Sequence, residues 1–449
     1  MKQTITKANA LHGTLTIPGD KSISHRSVML GAIAEGDTYV RGFLKSADCL
    51  ATIDCFEKMG ISVEEVDPAD AKGRFEHTSL NDETPLLCIH GRGLRGLKAP
   101  EGIILDAKNS GTTVRILSGI LAGQNFVSHI TGDEMLQKRP MARIIRPLES
   151  MGVMVVSDNH NDCIPMKIFG GKPHAIHYTS QIASAQVKSC ILFAGLYADE
   201  PTFYTEPSLS RNHTELMLQA FGGNLKFRKK ADSDAVTTIV YPGTKLMGQN
   251  ITVPGDISSA AYFIAAGLMV PGSELLLKNV GINETRDGIL RVVRSMGGDV
   301  QLTNVHMEGR EPVADLIIHS STLHGTQIGG SLIPKLIDEI PVIAVMAATA
   351  EGNTIIRDAQ ELKVKETNRL EAIVHNLRLM GISVDETEDG MIIHGGRLRG
   401  ALINPHGDHR MAMAFAIAGL AASGTTEIAG AQCVDVSYPG FFEDLAKLM

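Results

Sequence analysis

Leu15-Thr16-Ile17-Pro18-Gly19-Asp20 returns as Ile251-Thr252-Val253-Pro254-Gly255-Asp256, and the pattern of the residues after the first copy returns after the second. The first copy runs into a helix-like stretch over 22–34, then Glu35-Gly36-Asp37-Thr38, an extended segment, and a second helix-like stretch closing at Met59-Gly60. The second runs into 258–269, Pro271-Gly272-Ser273, and a stretch closing at Met296-Gly297. A third version starts at Asp338-Glu339-Ile340-Pro341, passes Glu351-Gly352-Asn353-Thr354 and closes at Met380-Gly381. Glycine ends each second helix, where a C-cap favours positive φ, and alternating segments such as Ile61-Ser62-Val63 and Ile382-Ser383-Val384 follow as strands.

A Leu-x-Gly step marks the spacing of the whole set, at Leu11, Leu94, Leu246, Leu323 and Leu398, with a weaker copy at Pro173. Distances to the next helix-opening polar residue (Asp20, Asn109, Ser184, Asp256, Asp338, Asp408) run 9, 15, 11, then 10, 15, 10 residues. Six copies in two sets of three predict an α/β (α+β) fold of two similar domains, each built of three βαβαββ units. The first helix of each unit, poor in charge, is expected to be buried and the second to face outward. The repeated Pro-Gly places a double hinge near 18–20 and 252–255. The N-terminal domain is then 19–253, and residues 1–18 join 254–449 in the C-terminal domain.

Net charge is −8 over 449 residues, which argues against a general nucleic-acid or anionic-membrane binder. An anionic ligand must be met by a local basic pocket. No apolar segment follows Met1-Lys2-Gln3-Thr4, and the longest apolar stretches, 260–270 and 411–422, fall short of the roughly 18 residues of a membrane span, so a cytoplasmic protein is expected. The six cysteines (49, 55, 88, 163, 190, 433) form no Cys-x-x-Cys pair and read as buried reduced thiols, without a metal site. Gly91-Arg92-Gly93-Leu94-Arg95-Gly96 imitates a dinucleotide fingerprint, but Leu97-Lys98-Ala99-Pro100 cannot open the required helix. Its sister in the repeat, His394–Gly400, lacks the middle glycine, so both read as hairpin turns.

Function should lie where the copies differ, and they differ at the helix starts. Lys21-Ser22-Ile23-Ser24-His25-Arg26 stands where the second half has Ile257-Ser258-Ser259-Ala260-Ala261-Tyr262. Cations at a helix N-terminus cost a few tenths of a kcal/mol each unless an anion is bound there. The backbone N–H groups and Ser22 would complete a phosphate or carboxylate cradle; alternatively, His25 and Arg26 pack against neighbouring loops. Asn109-Ser110-Gly111-Thr112-Thr113-Val114-Arg115, Gln137-Lys138-Arg139-Pro140, Ser184-Ala185-Gln186, Arg211, 363–369 and Asp408-His409-Arg410 repeat the theme of glycine, hydroxyl and basic groups. As a set, they predict one convergent anionic site, with Lys363 left as a solvated surface charge. Asp338 alone reads as a helix cap; together with Glu366 it is a candidate for proton transfer.

These motifs, six in order over essentially the whole chain, closely resemble the 5-enolpyruvylshikimate-3-phosphate synthases of the enolpyruvyl transferase family. The resemblance implies two domains of three βαβαββ units around a double-stranded hinge, with the active site in the interdomain cleft and closure on substrate. It implies transfer of the enolpyruvyl group of phosphoenolpyruvate to the 5-hydroxyl of shikimate 3-phosphate through a tetrahedral intermediate, on the route to chorismate and the aromatic amino acids. Lys21, Ser22, Arg26, Ser184, Ala185, Gln186, Arg211, Asp338 and Lys365 would hold shikimate 3-phosphate. Lys21, Gly111, Arg139, Gln186, Arg369 and Arg410 would hold phosphoenolpyruvate. The catalytic groups implied are Asp338, taking the hydroxyl proton, and Glu366 with Lys21, moving protons at the methylene carbon and the leaving phosphate. No metal or organic cofactor is implied, a monomer is expected, and Gly111 predicts sensitivity to glyphosate. One departure is Val436, where some members carry lysine before the Tyr438-Pro439 step. The nearest alternative, the sister transferase acting on UDP-N-acetylglucosamine, uses a loop cysteine, and 132–140 contains none.

Overall fold

The structure is a computed structural model in which residues 2–67, 75, 86–100, 102–231 and 233–449 are described. The chain divides into two compact units. One is Gly19–Val253 with Glu308–Arg310; the other is Met1–Pro18, Pro254–Met307 and Glu311–Met449.

The N-terminal unit contains helices α1 (Lys21–Ile33), α2 (Ala47–Lys58), α3 (Gly111–Ala122), α4 (Ala142–Ser150), α5 (Ala185–Gly195) and α6 (His213–Ala220). The C-terminal unit contains α7 (Ile257–Met269), α8 (Gly288–Ser295), α9 (Ile340–Thr349), α10 (Arg369–Leu379), α11 (His409–Ala421) and α12 (Phe441–Leu448). Each unit has its own apolar core, gathered around the odd-numbered helices. In α7 every residue from Ile257 to Leu268 is buried, as an uncharged, apolar-all-round sequence requires. The even-numbered helices keep an exposed polar edge, as in α8, where only Gly288, Ile289, Val292 and Val293 are buried. No helix among the described residues is long and apolar enough to cross a membrane.

One sheet order recurs. In the second repeat Ile104–Asp106 pairs in parallel with Val127–Thr131 across α3, and the hairpin Met154–Ser157 and Met166–Phe169 adds antiparallel. Among the described residues five sheets have four strands in this arrangement and one has three. The first repeat of each unit borrows its opening strand from a distant part of the chain. Asn250–Thr252 pairs with Glu35–Arg41, and His12–Thr16 pairs with Glu274–Gly281, both in parallel. The last repeat departs from the βαβαββ pattern: a single strand, Lys2–Thr6, lies antiparallel to Thr425–Ala429 where the other repeats have a hairpin.

The fingerprint-like glycines are packing residues. A Cβ on Gly91 would lie 2.3 Å from the Gly31 carbonyl oxygen, and one on Gly395 would lie 1.6 Å from that of Ala350. Strands Leu86–Arg92 and Met391–His394 thus press directly on the ends of α1 and α9. Among the described residues neither segment turns back into a hairpin: Gly96 N–H closes a turn onto the Gly93 carbonyl at 3.1 Å, but no strand returns to pair with the one before it. Nor are all six thiols buried, since Cys163 and Cys433 are half-buried.

Candidate active site

In the N-terminal unit the three buried helix starts carry different chemistry on one plan. Asp20 caps α1 by accepting from Ile23 N–H at 2.8 Å, and Ser110 caps α3 by accepting from Thr113 N–H at 3.2 Å. Lys21, the first residue of α1, forms an ion pair with Asp48 from the first turn of α2. Arg26, one turn further in, is buried: its Nε donates to Thr214 Oγ1 at 2.6 Å, Nη2 to Ser189 Oγ at 2.8 Å and Nη1 to the Ser22 carbonyl at 2.9 Å. It therefore locks α1 to α5 and α6. His25 is a core histidine, its Nδ1 2.7 Å from Thr52 Oγ1. Burial, then Lys21 and Arg26, hold its pKa well below 6.5, so it is neutral.

Gly111, Gln186 and Arg139 converge. Arg115 Nη1 donates to Gln186 Oε1 at 2.8 Å, Gln186 Nε2 to Thr112 Oγ1 at 3.1 Å, and Arg139 Nη2 to Asn109 Oδ1 at 2.9 Å. A Cβ on Gly111 would lie 3.3 Å from Arg115 Nη1 and 3.5 Å from Arg139 Nη1. Two guanidiniums thus stand over the backbone at a helix N-terminus, an arrangement that favours a small anion. Arg115 closes the Asn109–Arg115 segment in the sequence but was assigned no ligand there, although its place one turn after Gly111 put it on the same face.

Behind α5 lies a buried ionic cluster. Lys188 Nζ is 2.8 Å from Glu206 Oε1, 2.7 Å from Glu215 Oε1 and 3.1 Å from the Ser210 carbonyl. It sits close behind Gln186 on the same helix, so the cluster fixes the helix start that carries Ser184, Ala185 and Gln186 and the loop that carries Arg211.

In the C-terminal unit the expected equivalence of helix starts breaks down. The start of α7 is filled by its own protein: Arg286 Nη2 donates to Asp256 Oδ1 at 2.9 Å and to Ser258 Oγ at 2.7 Å, and Ser258 in turn donates to buried Glu339. Arg369 opens α10, an outer helix, although its side chain is buried. It reaches three carboxylates. Nε donates to Asp408 Oδ2 at 2.7 Å, Nη1 to Asp338 Oδ1 at 3.4 Å, and Nη2 to Glu366. Lys365 Nζ is 3.5 Å and Arg410 Nη2 3.8 Å from the same Asp338 carboxylate. Asp408 also caps α11, accepting from Arg410 N–H at 2.9 Å. Asp338 is no cap: α9 begins at Ile340, and its carboxylate turns to the three cations instead.

Burial opposes the charges on Arg369 and Arg410, but the neighbouring acids outweigh it. Asp408 and Glu366 do so for Arg369, and Asp338 for Arg410; both guanidiniums are held above their ordinary range. Lys363 lies outside the cluster, exposed, with Nζ donating to the Glu388 carbonyl.

The profile of one protein family, described as EPSP synthase (3-phosphoshikimate 1-carboxyvinyltransferase), matches residues 5–445. The 3-phosphoshikimate 1-carboxyvinyltransferase of Desulforamulus reducens is 49% identical over 100% of both chains, and that of Brevibacillus brevis is 50% identical over 99% of each. The solved structure of EPSP synthase from Acinetobacter baumannii superposes with a TM-score of 0.84 at 42% identity, covering 100% of this chain and 98% of that one. A match of this length at this identity leaves no part of the fold or of either cluster outside it, and the chain belongs to the EPSP synthase family.

Proposed function

We infer that this chain transfers the enolpyruvyl group of phosphoenolpyruvate to the 5-hydroxyl of shikimate 3-phosphate and releases phosphate. Both substrates are polyanions, so bringing them together requires fixed cations that neutralise their repulsion and stabilise developing charge. Lys21, Gly111, Arg139, Gln186, Arg369 and Arg410 are assigned to phosphoenolpyruvate. Lys21, Ser22, Ser184, Ala185, Gln186, Arg211, Asp338 and Lys365 are assigned to shikimate 3-phosphate, with Arg26 anchoring Ser22 through its carbonyl.

The observation that carries the assignment is Asp338 among Lys365, Arg369 and Arg410. Anionic substrates are drawn to those cations, which brings the 5-hydroxyl to the Asp338 carboxylate that takes its proton. Glu366, held by Arg369, and Lys21, held by Asp48, move protons at the methylene carbon and the departing phosphate. We place glyphosate at Gly111 and the guanidiniums over it, and we assign the working form as a cytoplasmic monomer.

Phosphate release from phosphoenolpyruvate, measured with shikimate 3-phosphate and with UDP-N-acetylglucosamine, tests the reading. Turnover is expected with the former, and turnover only with the latter overturns it. Asp338→Ala is expected to abolish turnover in a folded protein; near-full activity would remove Asp338 from the proton path.

A further inference from the structure

On the sheet of the first repeat, Leu87 and Ile89 enter the core, so alternation turns Cys88 and His90 to the opposite face. His90 stands opposite Asp37 on strand Glu35–Arg41, and Cys88 stands opposite Glu64 on strand Val63–Val66. The imidazole bridges the two strands flanking its own, with Nδ1 2.8 Å from Asp37 Oδ1 and Nε2 2.9 Å from Glu64 Oε1. Ligand atoms of Asp37, Cys88 and His90 all lie within 4.8 Å of one another.

We propose that Asp37, Cys88 and His90 form a binding site for one zinc-like divalent cation, with Glu64 orienting the imidazole. A thiolate, an imidazole and a carboxylate are the donor set that zinc prefers over calcium or magnesium. Tetrahedral bonds of roughly 2.0–2.3 Å put ligand atoms about 3.3–3.8 Å apart, so these three reach the metal by small side-chain rotations. The ring nitrogen facing Asp37 binds the ion, and the other keeps its hydrogen bond to Glu64, the carboxylate–histidine pairing that fixes metal-bound imidazoles. Cys88 is 2% exposed and forms the floor, while the side chains of Asp37 and Glu64 are 45% and 57% exposed and leave an entrance from solvent and a fourth position for water. Binding releases the thiol proton and the proton on the ligating nitrogen, with no change of oxidation state. Three adjacent strands would be tied by one ion. The spacing of cysteines along the chain cannot reveal such a site, because its ligands meet only through strand register.

The test uses tag-free, full-length protein stripped with chelator and titrated with Co2+. One ion per chain is expected, with a near-ultraviolet thiolate-to-cobalt charge-transfer band that Zn2+ abolishes by competition. Cys88→Ser should remove the band, His90→Ala should weaken binding at least tenfold, and Glu64→Gln should weaken it about tenfold while keeping the band. Zn2+ should raise the melting temperature of the parent protein but not of His90→Ala. Absence of a band, or a band that survives Cys88→Ser, overturns the proposal. If Cys88→Ser fails to fold, unchanged affinity in the His90→Ala protein overturns it equally.

Discussion

Lys188→Met removes the only cation that the structure places between Glu206 and Glu215 among the described residues, and leaves both carboxylates buried. All three side chains are at most 1% exposed. The lysine makes two charge-assisted contacts, at 2.7 and 2.8 Å, and a third to the Ser210 carbonyl. Breaking one side of such a cluster costs about 3–5 kcal/mol, because the remaining charges have no solvent to turn to. For a domain of this size each kcal/mol moves the melting temperature by roughly 2–4 °C, so the N-terminal unit should melt about 6–20 °C lower. The assay is calorimetry or urea unfolding at neutral pH, followed by the triple variant Lys188→Met, Glu206→Gln, Glu215→Gln. The triple variant should recover most of the loss, since neutral amides of similar shape carry no buried charge. Burial already raises the Glu215 carboxyl above its usual range, and Lys188 opposes that shift. The single-variant deficit should therefore shrink as pH falls and Glu215 takes up a proton. A loss under about 1 kcal/mol in the single variant, or a triple variant no better than the single, would refute the claim that Lys188 offsets two buried charges.

Arg369→Lys keeps the charge but loses the planar fork that reaches Asp338, Glu366 and Asp408 together, so kcat/KM should fall at least about 100-fold with folding retained. A fall below about fivefold would show that the fork does not organise the acids. Gly111→Ala puts a methyl 3.3 Å from Arg115 Nη1; KM for phosphoenolpyruvate and the concentration of glyphosate for half inhibition should both rise, and a fall in either contradicts the placement. His25 resists protonation in the folded state, while the unfolded chain takes a proton near 6.5. Its contribution to stability is thus complete above about pH 6.5 and declines as pH drops below it. Urea midpoints should fall more steeply between about pH 7 and 5 for the parent protein than for His25→Gln, and equal slopes would contradict the assignment.

Much of this architecture was legible because a repeat states its own boundaries. Pro18-Gly19 and Val253-Pro254 are the points at which the chain passes between units, and each odd-numbered helix is apolar enough to demand burial. The candidate site was legible where chemistry violated the local rule, as with cations at the start of α1. It was less so where tertiary structure supplied the partner. Asp48 reads as an ordinary acid in a first helical turn, and only the packing of α2 beside α1 makes it the counter-ion of Lys21. Likewise, Asp256 and Asp20 are twins in sequence, but Arg286 fills the start of α7 from a distant loop. Arg369 looked like a helix-start cation of the buried set and instead opens an outer helix with its side chain turned inward.

The borrowed strands bear on how the molecule is made. Gly19–Val253 is a continuous piece of chain whose sheets are complete by the time Asn250–Thr252 is available, so it can close on itself early in synthesis. Its host cannot. His12–Thr16 must wait for Glu274–Gly281, and Lys2–Thr6 must wait for Thr425–Ala429, nearly the full length of the chain later. Lys2–Thr6 and His12–Thr16 are therefore among the last segments to find their neighbours. Through that interval they present unsatisfied strand edges, and here the nascent protein is most exposed to misassociation.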